Sequence, residues 1–278
     1  MVRAVRVSTD VTAFDEAERR AWAGRAEAYE RSFAALCAHP VPALLDAADV
    51  RPGLRVLDAG TGTGAAARAA VERGAAVTAV DADPGMAARA ASAAADAAVC
   101  VAALPRLPFA DGRFDAVVGN FVLNHVGRPR AALAELRRVA RPGARIALTI
   151  WATPPAPGQA LFGRAIRAAG VSRPDHLPTL APEDDFARTE EGFALLLRDA
   201  GLADVRCRTL TWEHRAGAEE WWSGPAAGVA SVGQVVVSQT PATVAEIRHR
   251  YDALCAEFAG ADGRLVLPHS ALVGSGRV

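Results

Sequence analysis

The chain has 278 residues, of which 51% are apolar and 22% are charged, so it is long enough for one or two folded domains and is not mainly disordered. Its 31 acidic residues balance 31 basic ones, which argues against nucleic acid or an anionic membrane surface as a partner. All of those basic residues are arginines, and a chain without lysine cannot perform Schiff-base chemistry.

The first predicted element is an amphipathic helix over residues 13–36, where apolar residues from Trp22 to Phe33 recur at three- and four-residue steps. A short helix follows and ends near Val50, before a Pro-Gly break at residues 52–53. These first residues, 1–49, are predicted to form a helical lid.

From residue 54 onward, buried-strand patterns alternate with helical ones. The predicted strands cover residues 54–58, 76–80, 98–101, 114–119 and 145–151, and the main helices cover 64–73, 84–97 and 129–140. Strands separated by helices of this length form βαβ units and a parallel sheet that is covered on both faces. The expected fold class is therefore α/β, a Rossmann-like doubly wound sheet of seven strands with a helical lid and cap.

The remaining chain is less regular. Residues 153–190 are rich in proline, look helical only over 160–169, and are predicted to form an inserted cap. The predicted elements after the cap are helices over 190–200 and 241–258, a strand over 205–212, and an edge partner over 264–268 and 271–273, where Pro268 suits an edge; residues 219–237 fit no single element. We therefore expect a binding core over 50–152, the cap over 153–190, and a C-terminal segment over 191–278 that completes the sheet and adds cap helices.

The cysteines set further limits. Cys37, Cys100, Cys207 and Cys255 include no close pair, which excludes a local zinc knuckle or a C-x-x-C redox motif. No acidic or histidine cluster has metal-ligand spacing, so no metal is expected. The first residues lack the apolar segment of a signal peptide, and no run approaches the roughly 18 apolar residues of a membrane span. We expect a cytoplasmic protein that does not insert into membranes.

The most informative stretch is a strand that ends in a glycine-rich turn, from Val56 to Gly64. In an open α/β sheet, ligands bind at the carboxyl ends of the strands, and glycines allow the backbone to approach them closely. Asp58 precedes the first glycine and suits a cationic ligand better than a pyrophosphate. Asp81 ends the next strand, where a carboxylate can accept both ribose hydroxyls of an adenosine. A nicotinamide enzyme remains an alternative, because the turn also satisfies G-x-G-x-x-A.

Three further segments follow the turn and Asp81, namely Leu107-Pro108-Phe109, Phe114-Asp115 and Leu123-Asn124-His125. Together with the turn, they resemble the class I S-adenosylmethionine-dependent methyltransferases, in the small-molecule branch of ubiquinone/menaquinone-type and natural-product enzymes. The resemblance covers residues 50–150 and is only general beyond them.

The resemblance implies S-adenosylmethionine as cofactor and S-adenosylhomocysteine as product. The cofactor-binding residues that it implies are Tyr29, Asp58, Gly60, Thr61, Gly62, Asp81, Ala82, Met86, Ala103, Leu104, Asn120 and Val122. Within this set, the glycine turn lies against the methionine part, Asp58 near its ammonium group, and Asp81 on the ribose. Ala103 departs from the family, which commonly has an acidic residue there to accept from the adenine amine.

His125 is the candidate catalytic base, since an imidazole of near-neutral pKa at the mouth of the site can take a proton from an acceptor. A structural role in orienting the loop or the cofactor is the alternative. The candidate substrate-binding residues are Trp151, Phe162, Trp221 and Trp222, for which ordinary packing is the alternative. Adjacent helical tryptophans face different directions, so Trp221 and Trp222 are not both expected in the core.

The predicted function is methyl transfer to an oxygen, nitrogen or carbon atom of a small molecule, of the secondary-metabolite kind, by a monomer or homodimer. Two alternatives stay open. The fold could keep the cofactor as structure while the pocket catalyses a cyclisation or rearrangement, or the protein could be a non-catalytic binder.

Overall fold

The computed structural model describes residues 11–278. Its centre is a seven-stranded sheet in the order β3-β2-β1-β4-β5-β7-β6. The strands are β1 (Arg55–Ala59), β2 (Ala76–Asp81), β3 (Ala98–Val101), β4 (Phe114–Asn120), β5 (Ala140–Trp151), β6 (Ala203–Ala216) and β7 (Leu265–Arg277). Strands β1 to β5 pair in parallel, whereas β7 runs antiparallel to both β5 and β6. The predicted fold class is confirmed.

Twelve α-helices lie among the described residues. They are α1 (Ala13–Trp22), α2 (Ala26–Ser32), α3 (Ala34–Ala38), α4 (Val41–Ala47), α5 (Ala65–Glu72), α6 (Pro84–Ala93), α7 (Pro129–Val139), α8 (Leu161–Ala168), α9 (Glu190–Asp199), α10 (Ala218–Ala226), α11 (Ala230–Val237) and α12 (Pro241–Cys255). Two 3₁₀ helices, Val122–His125 and Ala256–Phe258, complete the helical structure of this part of the chain. None of the helices within residues 11–278 is long and apolar enough to cross a bilayer.

Alternate residues of each central strand enter different cores. Val56 of β1 joins one buried cluster with α4 and α5, and Leu57 joins the other with α7 and α9. Both side chains are fully buried, as expected for a parallel strand that is covered on both faces. A third cluster contains Phe33 at the start of α3, Phe162 of α8 and Trp221 of α10.

Two predictions about the chain ends were wrong. The region predicted as a single helix over residues 13–36 contains three helices. The first break follows Trp22, where Gly24 takes a left-handed conformation with φ of +73° and ends α1. The predicted edge strand is β7, an interior strand. Pro268 is tolerated there because β5 pairs with β7 only as far as Ala271, so the proline has a strand neighbour on one side only.

Candidate functional site

The glycine turn connects β1 to α5 at the carboxyl edge of the sheet. Gly60 has φ of +71°, and a Cβ atom there would lie 2.4 Å from Cγ2 of Val122. Gly64 has φ of +91°, and its Cβ would lie 2.9 Å from Cα of Ala90 on α6. Only glycine fits these two positions, so the backbone of the turn packs directly against the segment after β4 and against α6.

Asp81 ends β2 beside this turn and organises its backbone. Its Oδ2 accepts a hydrogen bond from the Gly62 amide at 2.8 Å, and its Oδ1 accepts one from the Asp83 amide at 3.0 Å. A carboxylate has about four acceptor positions, so each oxygen keeps one for a ligand hydroxyl. Burial raises the pKa of Asp81, although the two amide hydrogen bonds oppose the rise. This geometry fits the two ribose hydroxyls of an adenosine.

Asp58 lies behind the turn rather than on the cavity wall. It is fully buried, and its Oδ2 accepts a hydrogen bond from the Thr61 hydroxyl at 2.7 Å. Burial raises the pKa of Asp58 to about 6, an effect that the Thr61 hydroxyl opposes and the Asp81 charge reinforces. Within residues 11–278 the other oxygen, Oδ1, has no hydrogen-bond partner. A nearby cation would stabilise the charged form, which fits the ammonium group of the methionine part of the cofactor.

A cavity of about 440 Å³ opens in front of the turn. Ten of the twelve predicted cofactor-binding residues line it: Tyr29, Gly60, Gly62, Asp81, Ala82, Met86, Ala103, Leu104, Asn120 and Val122. The other two, Asp58 and Thr61, form the layer behind. Residues that are far apart in the chain thus surround one space, at the sheet edge where the fold places ligands.

The segment after β4 is held in a strained conformation. Phe121 has φ of +62°, which is unusual for a bulky residue, and its ring stacks on Trp151 with centroids 4.1 Å apart. Its amide donates to the Thr149 hydroxyl at 2.9 Å, and that hydroxyl donates to Oδ1 of Asn120 at 2.7 Å. The Asn120 amide group also donates to the carbonyl of Cys37 at 2.7 Å, so it joins α3 to the site.

Helix α1 covers the cavity and is tied to the segment beyond His125. Oδ1 of Asp15 accepts a hydrogen bond from the Gly127 amide at 2.6 Å, and Oε2 of Glu18 lies 2.8 Å from Nδ1 of His125. The indole N–H of Trp22 donates to the same Glu18 oxygen at 3.1 Å. Burial alone would raise the pKa of Glu18, but the hydrogen bonds from His125 and Trp22 and the His125 charge lower it overall.

This arrangement makes Glu18 and Trp22 part of the site, although sequence analysis missed both as functional residues. They lie four residues apart on one face of α1 and both line the cavity with His125. The helical spacing could have placed them together, but no local pattern indicates that His125, which is 107 positions from Glu18, lies beside them.

The cavity has an aromatic end, which we define by Phe33, Trp151, Gln159, Phe162, Trp221 and His269. All six line the cavity. The Trp221 ring contacts Phe33 edge-on at 4.9 Å between centroids and stacks on Phe162 at 5.6 Å. None of the six carries a formal charge when the imidazole of His269 is neutral.

The burial of Trp221 and Trp222 differs from the prediction. Trp221 and Trp222 are both buried, with exposed fractions of 2% and 8%. This is possible because α10, which carries them, packs against α2 and α11. Trp222 does not line the cavity and instead packs on Tyr251 with centroids 5.2 Å apart. Of the four predicted substrate-binding residues, the cavity therefore contains Trp151, Phe162 and Trp221.

Two buried histidines lie at or beside the aromatic end. His269 on β7 and His214 on β6 lie with ring centroids 6.2 Å apart. Burial lowers the pKa of each from 6.5 to about 4, and the charges of His214 and His39 lower the pKa of His269 further. Nδ1 of His269 lies 2.9 Å from the carbonyl oxygen of Leu267 and donates to it in the neutral ring. The position of His269 in the cavity could not be predicted, since a lone histidine on a strand carries no local signal.

Within the described residues, no group of three or more histidine, cysteine or acidic side chains is arranged to hold a metal ion. The titratable groups that line the cavity include Glu18 of α1, His125 after β4, Asp81 beside the turn and His269 of β7. Glu18 and His125 lie at hydrogen-bond distance, and Asp81 accepts hydrogen bonds from backbone amides. Acid–base work and ligand positioning are therefore the chemistry that these groups can supply.

Comparison with known proteins agrees with this geometry. A family model described as a methyltransferase domain matches residues 57–148. Demethylmenaquinone methyltransferase of Beutenbergia cavernae is 38% identical over 177 residues, which cover 61% of this chain and 74% of that protein. The same enzyme of Corynebacterium urealyticum is 40% identical over 171 residues, which cover 59% and 74% of the two chains.

Two solved structures show the same fold. Phosphoethanolamine N-methyltransferase 2 of Haemonchus contortus, in complex with phosphomonomethylethanolamine and S-adenosylhomocysteine, has a TM-score of 0.57 at 16% identity, over 96% of this chain and 60% of that one. The YcgJ protein of Bacillus subtilis has a TM-score of 0.54 at 19% identity, over 86% and 97% of the two chains.

The chain belongs to the class I S-adenosylmethionine-dependent methyltransferases, in their menaquinone-type branch. It is a methyltransferase whose cofactor is S-adenosylmethionine. This membership decides against the nicotinamide interpretation of the glycine turn and against a purely structural cofactor.

Proposed function

We propose that the enzyme methylates a flat, uncharged, hydroxylated aromatic small molecule, at a ring carbon or at the hydroxyl oxygen. The observation that carries the proposal is the aromatic end of the cavity, where Trp151, Phe162 and Trp221 offer ring faces and no formally charged side chain. Burying a phosphate or carboxylate there would leave the negative charge without a partner, whereas an aromatic ring gains apolar and stacking contacts. The name of the curated relatives supports the same class, since their acceptor is a quinone.

The cofactor site fits the residues described above. The turn at Gly60 and Gly62 receives the methionine part, Asp58 stabilises the ammonium group from behind, and Asp81 accepts from the ribose hydroxyls. When bound, the cofactor supplies an activated methyl group on a positively charged sulfur. The protein then has to orient the acceptor in line with that methyl group and to exclude water.

His125 is proposed as the general base for the acceptor hydroxyl. Its Nδ1 is engaged by Glu18, so the proton on the neutral ring belongs on Nδ1 and Nε2 is the nitrogen that can accept a proton. Glu18 is then a positioning residue that fixes the ring and stabilises the imidazolium formed in the reaction. Removing the acceptor proton makes the hydroxylated ring a better nucleophile at oxygen and at the adjacent ring carbon.

The proposal is tested by methyl transfer from radiolabelled S-adenosylmethionine to a panel of acceptors. The panel contains a dihydroxynaphthalene, a monophenol, ethanolamine phosphate and an aliphatic carboxylate. We expect labelled product from the hydroxylated aromatics alone. Label on ethanolamine phosphate, with none on either aromatic, would show that the aromatic end does not select the acceptor.

A pair of variants separates a base from a structural contact at His125. In His125→Asn, the amide nitrogen can still donate to Glu18 but no base remains, so we expect a fall in kcat on the order of 100-fold with an unchanged Kd for S-adenosylmethionine. His249→Asn, which changes an exposed histidine of α12, is the matched control and should keep the wild-type kcat. An equal loss of cofactor affinity and turnover in His125→Asn would assign the residue to the lid and not to proton transfer.

A further inference from the structure

His269 of β7 lines the aromatic end of the cavity, and one of its ring nitrogens is free to accept a hydrogen bond. Nδ1 lies 2.9 Å from the Leu267 carbonyl oxygen, which can only accept, so Nδ1 carries the proton of the neutral ring. Within residues 11–278, Nε2 has no hydrogen-bond partner, yet it is not one of the polar side-chain atoms that solvent cannot reach. Because the residue lines the cavity, a ligand there can reach this nitrogen.

Neighbouring rings hold the imidazole in place. Trp212 stacks on it with centroids 6.0 Å apart and planes at 25°, and Trp221 contacts it edge-on at 5.7 Å. His214 meets it edge-on at 6.2 Å. Of these three residues, Trp221 lines the cavity, whereas Trp212 and His214 lie outside its lining. A ring that is fixed by packing and by a backbone hydrogen bond loses little entropy when a ligand binds to it.

The surroundings of His269 suit a hydrogen-bond acceptor better than a base. Burial lowers the pKa of His269 to about 4, a backbone carbonyl opposes this, and the charges of His214 and His39 lower it further. The ring is therefore neutral at pH 7, and Nε2 keeps its lone pair. His125 differs, because the Glu18 carboxylate beside it can stabilise an imidazolium. The two histidines of the cavity are thus suited to different tasks.

We propose that Nε2 of His269 accepts a hydrogen bond from a hydroxyl group of the acceptor and so selects hydroxylated rings. The inference rests on the proposed function and deepens it, because it names the group that binds a hydroxyl without removing its proton. An unprotonated imidazole nitrogen accepts and cannot donate, so it distinguishes a hydroxyl from a substituent of similar size that has no proton. A site built to hydrogen-bond a hydroxyl rejects an analogue that lacks it.

The test is calorimetric binding of 1-naphthol and of 1-fluoronaphthalene to the full chain with S-adenosylhomocysteine present, so no turnover is needed. The two probes share one ring system, but only 1-naphthol has a proton to donate. We expect wild type to bind 1-naphthol roughly tenfold more tightly. His269→Asn can still donate to the Leu267 carbonyl but has no acceptor at the position of Nε2. It should lose most of this preference and keep the wild-type Kd for 1-fluoronaphthalene and for S-adenosylhomocysteine.

Two further variants separate a direct contact from an effect on packing. His214→Asn removes a buried imidazole that contacts His269 but does not line the cavity, so this matched control should keep the wild-type preference. His269→Gln places an amide oxygen near the position of Nε2 and should still prefer 1-naphthol. This variant decides the question if His269→Asn fails to fold, since a folded His269→Gln protein without the preference would contradict the inference.

The remaining outcomes are equally decisive. Equal affinity of wild type for the two probes would overturn the inference. So would an equal loss of both probes in folded His269→Asn, or the same loss of preference in His214→Asn, because either result would assign His269 to packing. If 1-naphthol is selected through His269 by a protein that methylates no hydroxylated aromatic, the proposed function is wrong, while the binding of a hydroxyl by His269 is supported.

Discussion

Because two buried histidines lie at or beside the aromatic end, we expect the protein to lose stability in mild acid. His214 and His269 have exposed fractions of 5% and 2%, and burial is the main reason that their pKa values fall from 6.5 to about 4. His39 and Arg264 lower the pKa of His214 further, whereas Glu220 opposes them. Both rings are therefore neutral in the folded protein at pH 7 and must enter a charged state in acid without adequate solvation.

The sign and size of the effect follow from these values. Since the folded pKa is below the unfolded one, the unfolded chain binds protons first, and stability falls as the pH drops through 6.5 until it levels off near 4. At pH 5, each histidine then costs about 2 kcal/mol of unfolding free energy relative to pH 8, and the pair costs about 4 kcal/mol. Domains are stable by only about 5–15 kcal/mol, so the loss is large.

Urea unfolding of wild type and of the His214→Asn/His269→Asn double variant at pH 8, 7, 6 and 5 measures this cost. Wild type should lose about 4 kcal/mol more than the double variant between pH 8 and pH 5. Asp58, whose raised pKa of about 6 works in the opposite direction, is present in both proteins and cancels in the difference. If the unfolding free energies of the two proteins changed equally with pH, the assignment of neutral, desolvated histidines would be refuted.

Three further outcomes are expected. Asp81→Asn should raise the Kd for S-adenosylmethionine on the order of tenfold to 100-fold in calorimetry, since hydrogen bonds to a charged group contribute about 1.5–3 kcal/mol, while exposed Asp96→Asn should leave it unchanged. Gly127→Ala should lower kcat at least roughly tenfold in steady-state assays, because the new Cβ would lie 1.9 Å from Oγ1 of Thr12 and displace the start of α1; wild-type kinetics would contradict this. Leu57→Ala should reduce the unfolding free energy by about 2–5 kcal/mol in urea, and a loss below about 1 kcal/mol would mean that the core relaxes into the space.

The donor half of the site could be predicted because its signals are local. The strand from Val56, the glycine turn and the start of α5 are contiguous in sequence, and the positive φ angles at Gly60 and Gly64 are conformations that glycine adopts at no steric cost. Asp81 follows the next strand at the same edge of the sheet. The register of parallel strands then places these groups together without any further information.

The lid and the aromatic end could not be predicted in the same way, because they consist of contacts between distant segments. The capping box of Thr12 and Asp15 is local, but the hydrogen bond from the Gly127 amide to Asp15 spans 112 positions. The tryptophan pair was misjudged because helical periodicity describes one helix alone, while α10 has neighbours on more than one side. Strand β7 was wrongly predicted to lie at an edge of the sheet. A proline removes only its own backbone hydrogen bond and does not determine the pairing of the whole strand.

This division between local and distant contacts has a consequence for specificity. In the proposed function, backbone atoms of the turn and the carboxylates of Asp58 and Asp81 hold the methyl donor, so we expect the donor half to tolerate little change without loss of the cofactor. In the proposed function, the acceptor contacts Phe162 of α8, Trp221 of α10 and His269 of β7, which are separate from the turn. Substitutions of these residues can alter the shape and hydrogen bonding of the aromatic end while Asp81 and the turn stay as they are. We therefore expect acceptor choice to depend on the aromatic end, and donor choice on the glycine turn and Asp81.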